Sequence, residues 1–132
     1  MAVCRDTRLI VGHSVLKERS WEGMQSFVEA LPPAEQYCSD ELALYRDLWW
    51  PQGSTHIVSE GKRDTHTIES LNANLRTYLG SYLERLKRKS RCFSRCMHAL
   101  RRAIHMFVWH YNRRQRLLLS HPHMRGGIAL VF

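Results

Sequence analysis

The alternation of apolar and polar residues predicts a chain of short elements. Arg8–Leu16, RLIVGHSVL, is apolar and β-branched enough for a strand. Cys4–Arg8 forms a turn ahead of it, and only Ala2–Val3 is left for any preceding strand. Ser20 stands where a helix N-cap belongs, and Glu22 follows in the first turn, against the positive end of the helix dipole. Trp21, Met24, Phe27, Val28 and Leu31 then recur at helical spacing until Pro32 and Pro33 stop the run. Glu35–Asp40 predicts a short strand ending on Asp40. Glu41–Trp50 predicts a helix that turns Leu44, Tyr45 and Leu48 inward before Pro51, and Thr55–Ser59 another brief strand.

The second half is helical in pattern. Asp64 or Thr65 caps a helix in which Ile68, Leu71, Leu75, Tyr78, Leu79, Tyr82 and Leu86 make one apolar stripe. Glu69, Asn72 and Arg76 lie beside it at i, i+3 and i+7, a polar stripe. Gly80 interrupts at about 1 kcal/mol relative to alanine. It lies in a near-repeat, YLGS then YLER, that reads as a one-turn insertion. The basic run RLKRKSRCFSR (Arg85–Arg95) ends this helix and continues into a loop. A last helix from Met97 to about Arg116 buries Leu100, Ile104, Phe107, Val108 and Tyr111, with Arg101, Arg102, Arg113, Arg114 and Arg116 elsewhere on it. Pro122 and Gly126–Gly127 mark the remainder as a loosely attached strand or extended tail. The order is strand, helix, strand, helix, strand, helix, helix: a mixed α/β chain.

Composition and charge sharpen this picture. A chain of 132 residues is one domain at most, and 44% hydrophobic with 24% charged residues excludes wholesale disorder. The formal net charge of +8 is unevenly spread. Residues 1–60 hold five Lys and Arg against nine Asp and Glu (net −4), and residues 61–132 hold fifteen against three (net +12). A basic half of this kind suits a polyanion, most economically nucleic acid, the alternatives being a solvated basic face or a tail on acidic lipid. No apolar run approaches the ~18–20 residues that span a bilayer, and no secretory leader pattern opens the chain. The expectation is a cytoplasmic protein with no membrane partner and reduced cysteines. Cys92 and Cys96, with His98 beyond, form one close pair. A zinc site usually carries two, so zinc is not favoured.

Two carboxylates are candidates for chemistry. Asp40 sits where a strand hands over to the next element, and Glu69 in the first turns of a helix. Such positions can converge and hold divalent cations through hard oxygen ligands, and a pair of Mg²⁺ ions about 4 Å apart supports phosphodiester chemistry. The plainer reading is a turn-capping aspartate and a glutamate favoured by the helix dipole. His98, His105, His110, His121 and His123 lack the i, i+4 spacing of a helical metal site. Phe107, Trp109 and Tyr111 read as core rather than as a platform for bases. No nucleophile elbow or Gly-rich phosphate loop is present.

The stretch THTIESLNANLR, followed by RLKRKSRCFSR, resembles the C-terminal part of transposases of the insertion-sequence-one family. The shared pattern is Ile68–Glu69, then Asn72, Asn74, Leu75 and Arg76, then Arg85, Leu86, Arg88 and Lys89, then Phe93, Ser94 and Arg95. Upstream, SDELALY is similar to the family's Asp-bearing strand end, and DTRLIVGHSV to its third strand, so the likeness covers about Val3 to Arg116. The resemblance implies an RNase H-like fold, a mixed sheet with flanking helices, in which an Asp, Asp, Glu triad binds two Mg²⁺ (or Mn²⁺) to cleave and join DNA strands. It makes Asp40 the second Asp and Glu69 the Glu, both catalytic and metal-holding. It makes Asn72, Arg76, Arg85, Lys87, Arg88, Lys89, Arg91 and Arg95 contacts to double-stranded DNA at the element's ends.

The family's first catalytic Asp lies on a strand before the point where this chain begins. Asp6 matches a hairpin turn instead, and the family's zinc-binding and helix-turn-helix segments have no counterpart here. The expectation is therefore an N-terminally incomplete RNase H-like domain over 1–116, lacking its first strand and closing on basic helices, with 117–132 as a tail. The alternative is a catalytically inactive DNA-binding remnant, or an inhibitor that pairs with full-length transposase. A sheet missing its central strand leaves apolar edges unpaired, which favours association and aggregation.

Overall fold

The computed structural model describes residues 1–40, 42–59, 66–82 and 97–122. These hold three α-helices and two separate two-stranded sheets. Strands β1 (Ala2–Val3) and β2 (Ile10–Gly12) form an antiparallel hairpin in which Val3 faces Ile10 and Ala2 faces Gly12, with the register slipping by one residue between the pairs. Its loop closes through Cys4 N–H to the Leu9 carbonyl at 2.9 Å and Arg8 N–H to the Cys4 carbonyl at 2.8 Å. Arg8 takes a left-handed φ of 58° to make that turn, at roughly 1–2 kcal/mol for a residue with a Cβ.

The ladder has two pairs and ends at Ala2 and Gly12, so the predicted strand over 8–16 survives only at Ile10–Gly12. A side-chain amide takes over part of the role of a neighbouring strand. Asn112 accepts from the Ile10 N–H at 2.8 Å and donates to the Ile10 carbonyl at 2.9 Å, across 102 residues of sequence.

Asn112 lies on α3 (Met97–Ser120), which crosses α2 (His66–Tyr82). Ile10, Leu71, Phe107 and Val108 form the buried centre of this half of the molecule, with Met1, Val3, Leu75, Tyr78, Ile104 and Tyr111 around them. Leu71 is almost wholly buried, worth about 1.5–3 kcal/mol by transfer from water. Of the predicted stripe on α2, Leu71, Leu75 and Tyr78 pack in this cluster, Leu79 is buried and Ile68 is half-buried. The stripe's continuation at Tyr82 and Leu86, like the Asp64 or Thr65 cap, lies outside the described side chains.

A second cluster is built by the middle of the chain. Helix α1 (Trp21–Glu29) starts as predicted, with the Ser20 hydroxyl accepting from Gly23 N–H at 3.2 Å. Met24 and Val28 pack with Leu48, flanked by Trp21, Leu44, Tyr45 and Trp50. Gln25 is buried among them, and its amide grips Trp49 just as Asn112 grips Ile10. It accepts from Trp49 N–H at 2.9 Å and donates to the Trp49 carbonyl at 3.1 Å. Gly12 lets α1 approach the hairpin, since a Cβ there would collide with Leu31 and press on Phe27 at 3.4 Å.

Strands β3 (Gln36–Ser39) and β4 (Thr55–Val58) pair in parallel, Gln36 with Thr55 through Ser39 with Val58. The helix expected over 41–50 is only a single 3₁₀ turn, Ala43–Arg46. Competing bonds explain the difference. Gln25 takes the Trp49 N–H, and the Tyr45 carbonyl that a helix would pair with it accepts from the Trp50 indole at 3.4 Å. What remains bonds at the tighter i to i+3 spacing, Tyr45 to Leu42 and Asp47 to Leu44. Helix α3 runs past Arg116 to Ser120, four residues into the predicted tail, because nothing in RLLLS breaks a helix ahead of Pro122.

Candidate functional site

Asp40 directly follows β3 and is exposed, as expected of a strand-end carboxylate. Its Oδ1 accepts from the Leu42 N–H at 3.2 Å, so it does perform the plain turn-forming role. The strand end beneath it is firmly held. Ser39 is buried, and its hydroxyl meets His56 Nε2 at 2.8 Å and the Asp40 carbonyl at 3.1 Å. The His56 ring stacks on Trp50 with centroids 4.1 Å apart, and Tyr37 leans on the same indole at 5.2 Å. Burial pushes the His56 pKa below the usual histidine range. His56 was not singled out from sequence. Its role depends on the parallel register that sets it across from Tyr37, which no local pattern encodes.

Glu69 lies in the first turn of α2 and is exposed. Asn72 is half-buried and Arg76 exposed on the same helix. The other expected DNA contacts, Arg85, Lys87, Arg88, Lys89, Arg91 and Arg95, lie outside the described residues, as do Cys92 and Cys96. Among the described residues no three His, Cys, Asp or Glu side chains converge to hold a metal ion. Asp40 and Glu69 are thus each oxygen donors of a kind suited to Mg²⁺, and neither belongs to such a group among the described residues.

No protein-family model, curated protein or solved structure matches this chain.

The strongest charge feature of the described structure is α3. Residues 97–122 contain five arginines and no acidic side chain. Arg101, Arg102, Arg113, Arg114 and Arg116 are all exposed. Trp109, expected in the core beside Phe107 and Tyr111, is instead half exposed, and the Arg113 guanidinium lies 5.4 Å from its ring centroid. Phe107 and Tyr111 do take the inner face, stacked at 6.0 Å. Two grooves run along this helix. One, of about 710 Å³, lies between residues 13–16 and the first half of α3 and includes Arg101, Arg102 and Met106. The other, of about 400 Å³, follows the second half past Trp109 and Arg113. His105 lines both. The His13 ring sits 5.8 Å from that of His105, and burial first, then the His105 and N-terminal charges, push its pKa down. Sequence carried one signal for this surface: no acidic residue occurs anywhere after Glu84. No helix among the described residues is long and apolar enough to cross a membrane.

Proposed function

We propose that this chain carries the later part of a DDE-type transposase catalytic domain, whose complete form cleaves and joins DNA strands at the ends of its element. The observation that carries the reading is the irregular motif of residues 68–95, with Glu69 in the first turn of α2 and Asp40 at the end of a parallel strand. The sheet arrangement supports it as well. An antiparallel hairpin and a separate parallel pair are what an RNase H-like mixed sheet leaves when its central strand is taken away.

Asp40 and Glu69 would hold Mg²⁺ or Mn²⁺, which when bound activates a water or hydroxyl for attack on a phosphodiester. Among the described residues the donors fit in kind, and the two-metal arrangement needs a carboxylate beyond these two. The net +12 of residues 61–132 supports a second reading: a DNA-binding remnant without catalysis, or an inhibitor that pairs with full-length transposase.

The test is Mg²⁺-dependent strand cleavage by this chain joined in frame to the sequence encoded immediately upstream. Cleavage that Glu69→Gln and Asp40→Asn each abolish is the expected result. Cleavage that survives both substitutions refutes the site. DNA binding with no cleavage in any upstream frame supports the remnant instead.

A further inference from the structure

We propose that the two grooves along α3 form one continuous track for an unpaired nucleic-acid strand, with the arginines on its phosphates and Trp109 and Met106 against its bases. The proposal deepens the DNA reading above by naming the strand state this face takes, and it does not involve Asp40 or Glu69.

His105 lines both grooves, so they join rather than lie apart. From Arg101 to Arg116 the track covers about 22 Å of helix at ~1.5 Å per residue, room for a few nucleotides. Its chemistry alternates. Arg101 and Arg102 stand at one end and Arg113 and Arg116 at the other, while Met106 and Trp109 between them are each about half exposed at 47% and 50%. Leu16 adds apolar surface from the facing segment.

This mixture decides among polyanions. A duplex turns phosphates outward and hides its base faces, so it has no use for an exposed indole flanked by arginines. An acidic peptide or a lipid headgroup supplies charge without a succession of flat faces. An unpaired strand supplies both together, and base stacking on an aromatic side chain contributes irrespective of sequence. Arg113 over the Trp109 ring holds the indole face beside a cation.

The histidines add a second property. The groups facing His13 are His105 and the Met1 amine, with His98, Arg101 and Arg102 along the same groove, all cationic or able to become so. In the free protein burial of His13, and after it this crowding, oppose protonation. A bound phosphate relieves it, so binding takes up protons and tightens as pH falls through the histidine range.

The experiment is fluorescence anisotropy of the full chain with labelled (dT)20, a 20-base-pair duplex and a 20-residue poly-glutamate. We expect (dT)20 to bind more tightly than either competitor. The double variant R101A/R102A should bind at least tenfold more weakly, with a salt slope shallower by about 1.4, since each single-strand phosphate contact contributes roughly 0.7. Trp109→Ala should bind about fivefold or more weakly at an unchanged slope, and Trp109→Phe should recover most of the loss. These side chains are exposed, so folding should survive, and circular dichroism checks it. Methyl shifts of Met106 on adding (dT)20 give a readout that needs no variant.

Equal binding of poly-glutamate, or unaltered (dT)20 binding in both variants, overturns the proposal. Tighter binding of the duplex with no effect of Trp109→Ala overturns it too. Binding of (dT)20 is read without added Mg²⁺ and without cleavage, so loss of the track and loss of the transposase site are read separately.

Discussion

Asn112 joins the two ends of this chain, and its removal has a calculable cost. The Asn112 amide makes two hydrogen bonds to the two peptide units flanking Ile10, at 2.8 and 2.9 Å. Each such bond contributes about 0.5–1.5 kcal/mol net, and a buried backbone group left unmade costs about 1–3 kcal/mol. Ile10 is 5% exposed, while Asn112 is only half-buried, so water partly replaces the lost partner. Asn112→Ala should therefore destabilise the chain by about 2–4 kcal/mol, a large share of the ~5–15 kcal/mol typical of a domain.

Asn112→Asp separates the two bonds. An ionised carboxylate still accepts from the Ile10 N–H, yet it cannot donate to the Ile10 carbonyl and sets negative charge against it. At pH 7 it should be at least as damaging as alanine. Near pH 3–4, once protonated, it can donate again, and its deficit relative to the parent at the same pH should shrink. Urea unfolding followed by tryptophan fluorescence gives the stabilities, and hydrogen exchange at the Ile10 amide reports the bond itself. If both variants cost under about 0.5 kcal/mol and Ile10 exchanges as in the parent, the amide is not what holds the hairpin to α3.

Gln25→Leu removes both hydrogen bonds to the Trp49 backbone beside the second cluster. It should cost about 1–3 kcal/mol by thermal unfolding, whereas loss of less than about 0.5 kcal/mol would count against the amide's role. Gly12→Val drives a side chain into Leu31 and Phe27 and should cost about 1–3 kcal/mol, more than Gly12→Ala, in the same denaturation series. Ser20→Ala removes the cap of α1 at about 1 kcal/mol. His13 and His56 both have folded pKa values below their unfolded ones, so the unfolded chain binds more protons in that range. Their contribution to stability is complete above about pH 6.5 and is lost as pH falls toward the folded values, and a His13→Gln/His56→Gln double variant should flatten the urea midpoint between pH 5 and 7.5.

The elements that sequence foretold are those whose causes are local. Ser20 caps α1 from three residues away, β4 is a four-residue strand with three β-branched residues, and the α2 stripe repeats every three to four residues. Asp40 and Glu69 fell at the element ends expected of them for the same reason. The misses come from bonds across the fold. The 41–50 segment has a helical pattern, yet Gln25 claims the Trp49 N–H that a helix would spend on the Tyr45 carbonyl. Trp109 sits two residues from inward neighbours on either side, and only the packing against α2 and the hairpin decides which face stays bare. Ile10 and Asn112 meet across 102 residues, beyond any window of pattern reading.

The two clusters differ in when they can form. Cluster residues 21–50 lie within one short stretch and close by themselves, at little loop entropy. The other cluster needs Ile10 from the front of the sequence and Phe107 and Val108 from far along it, with the 21–50 cluster enclosed in the span between. At ~5–20 residues per second on the ribosome, Ile10 waits at least several seconds for its partners. Over that interval the front of the nascent chain carries Val3 and Ile10 uncovered beside an already folded middle. Its apolar face is then open to a chaperone, or to another copy of itself.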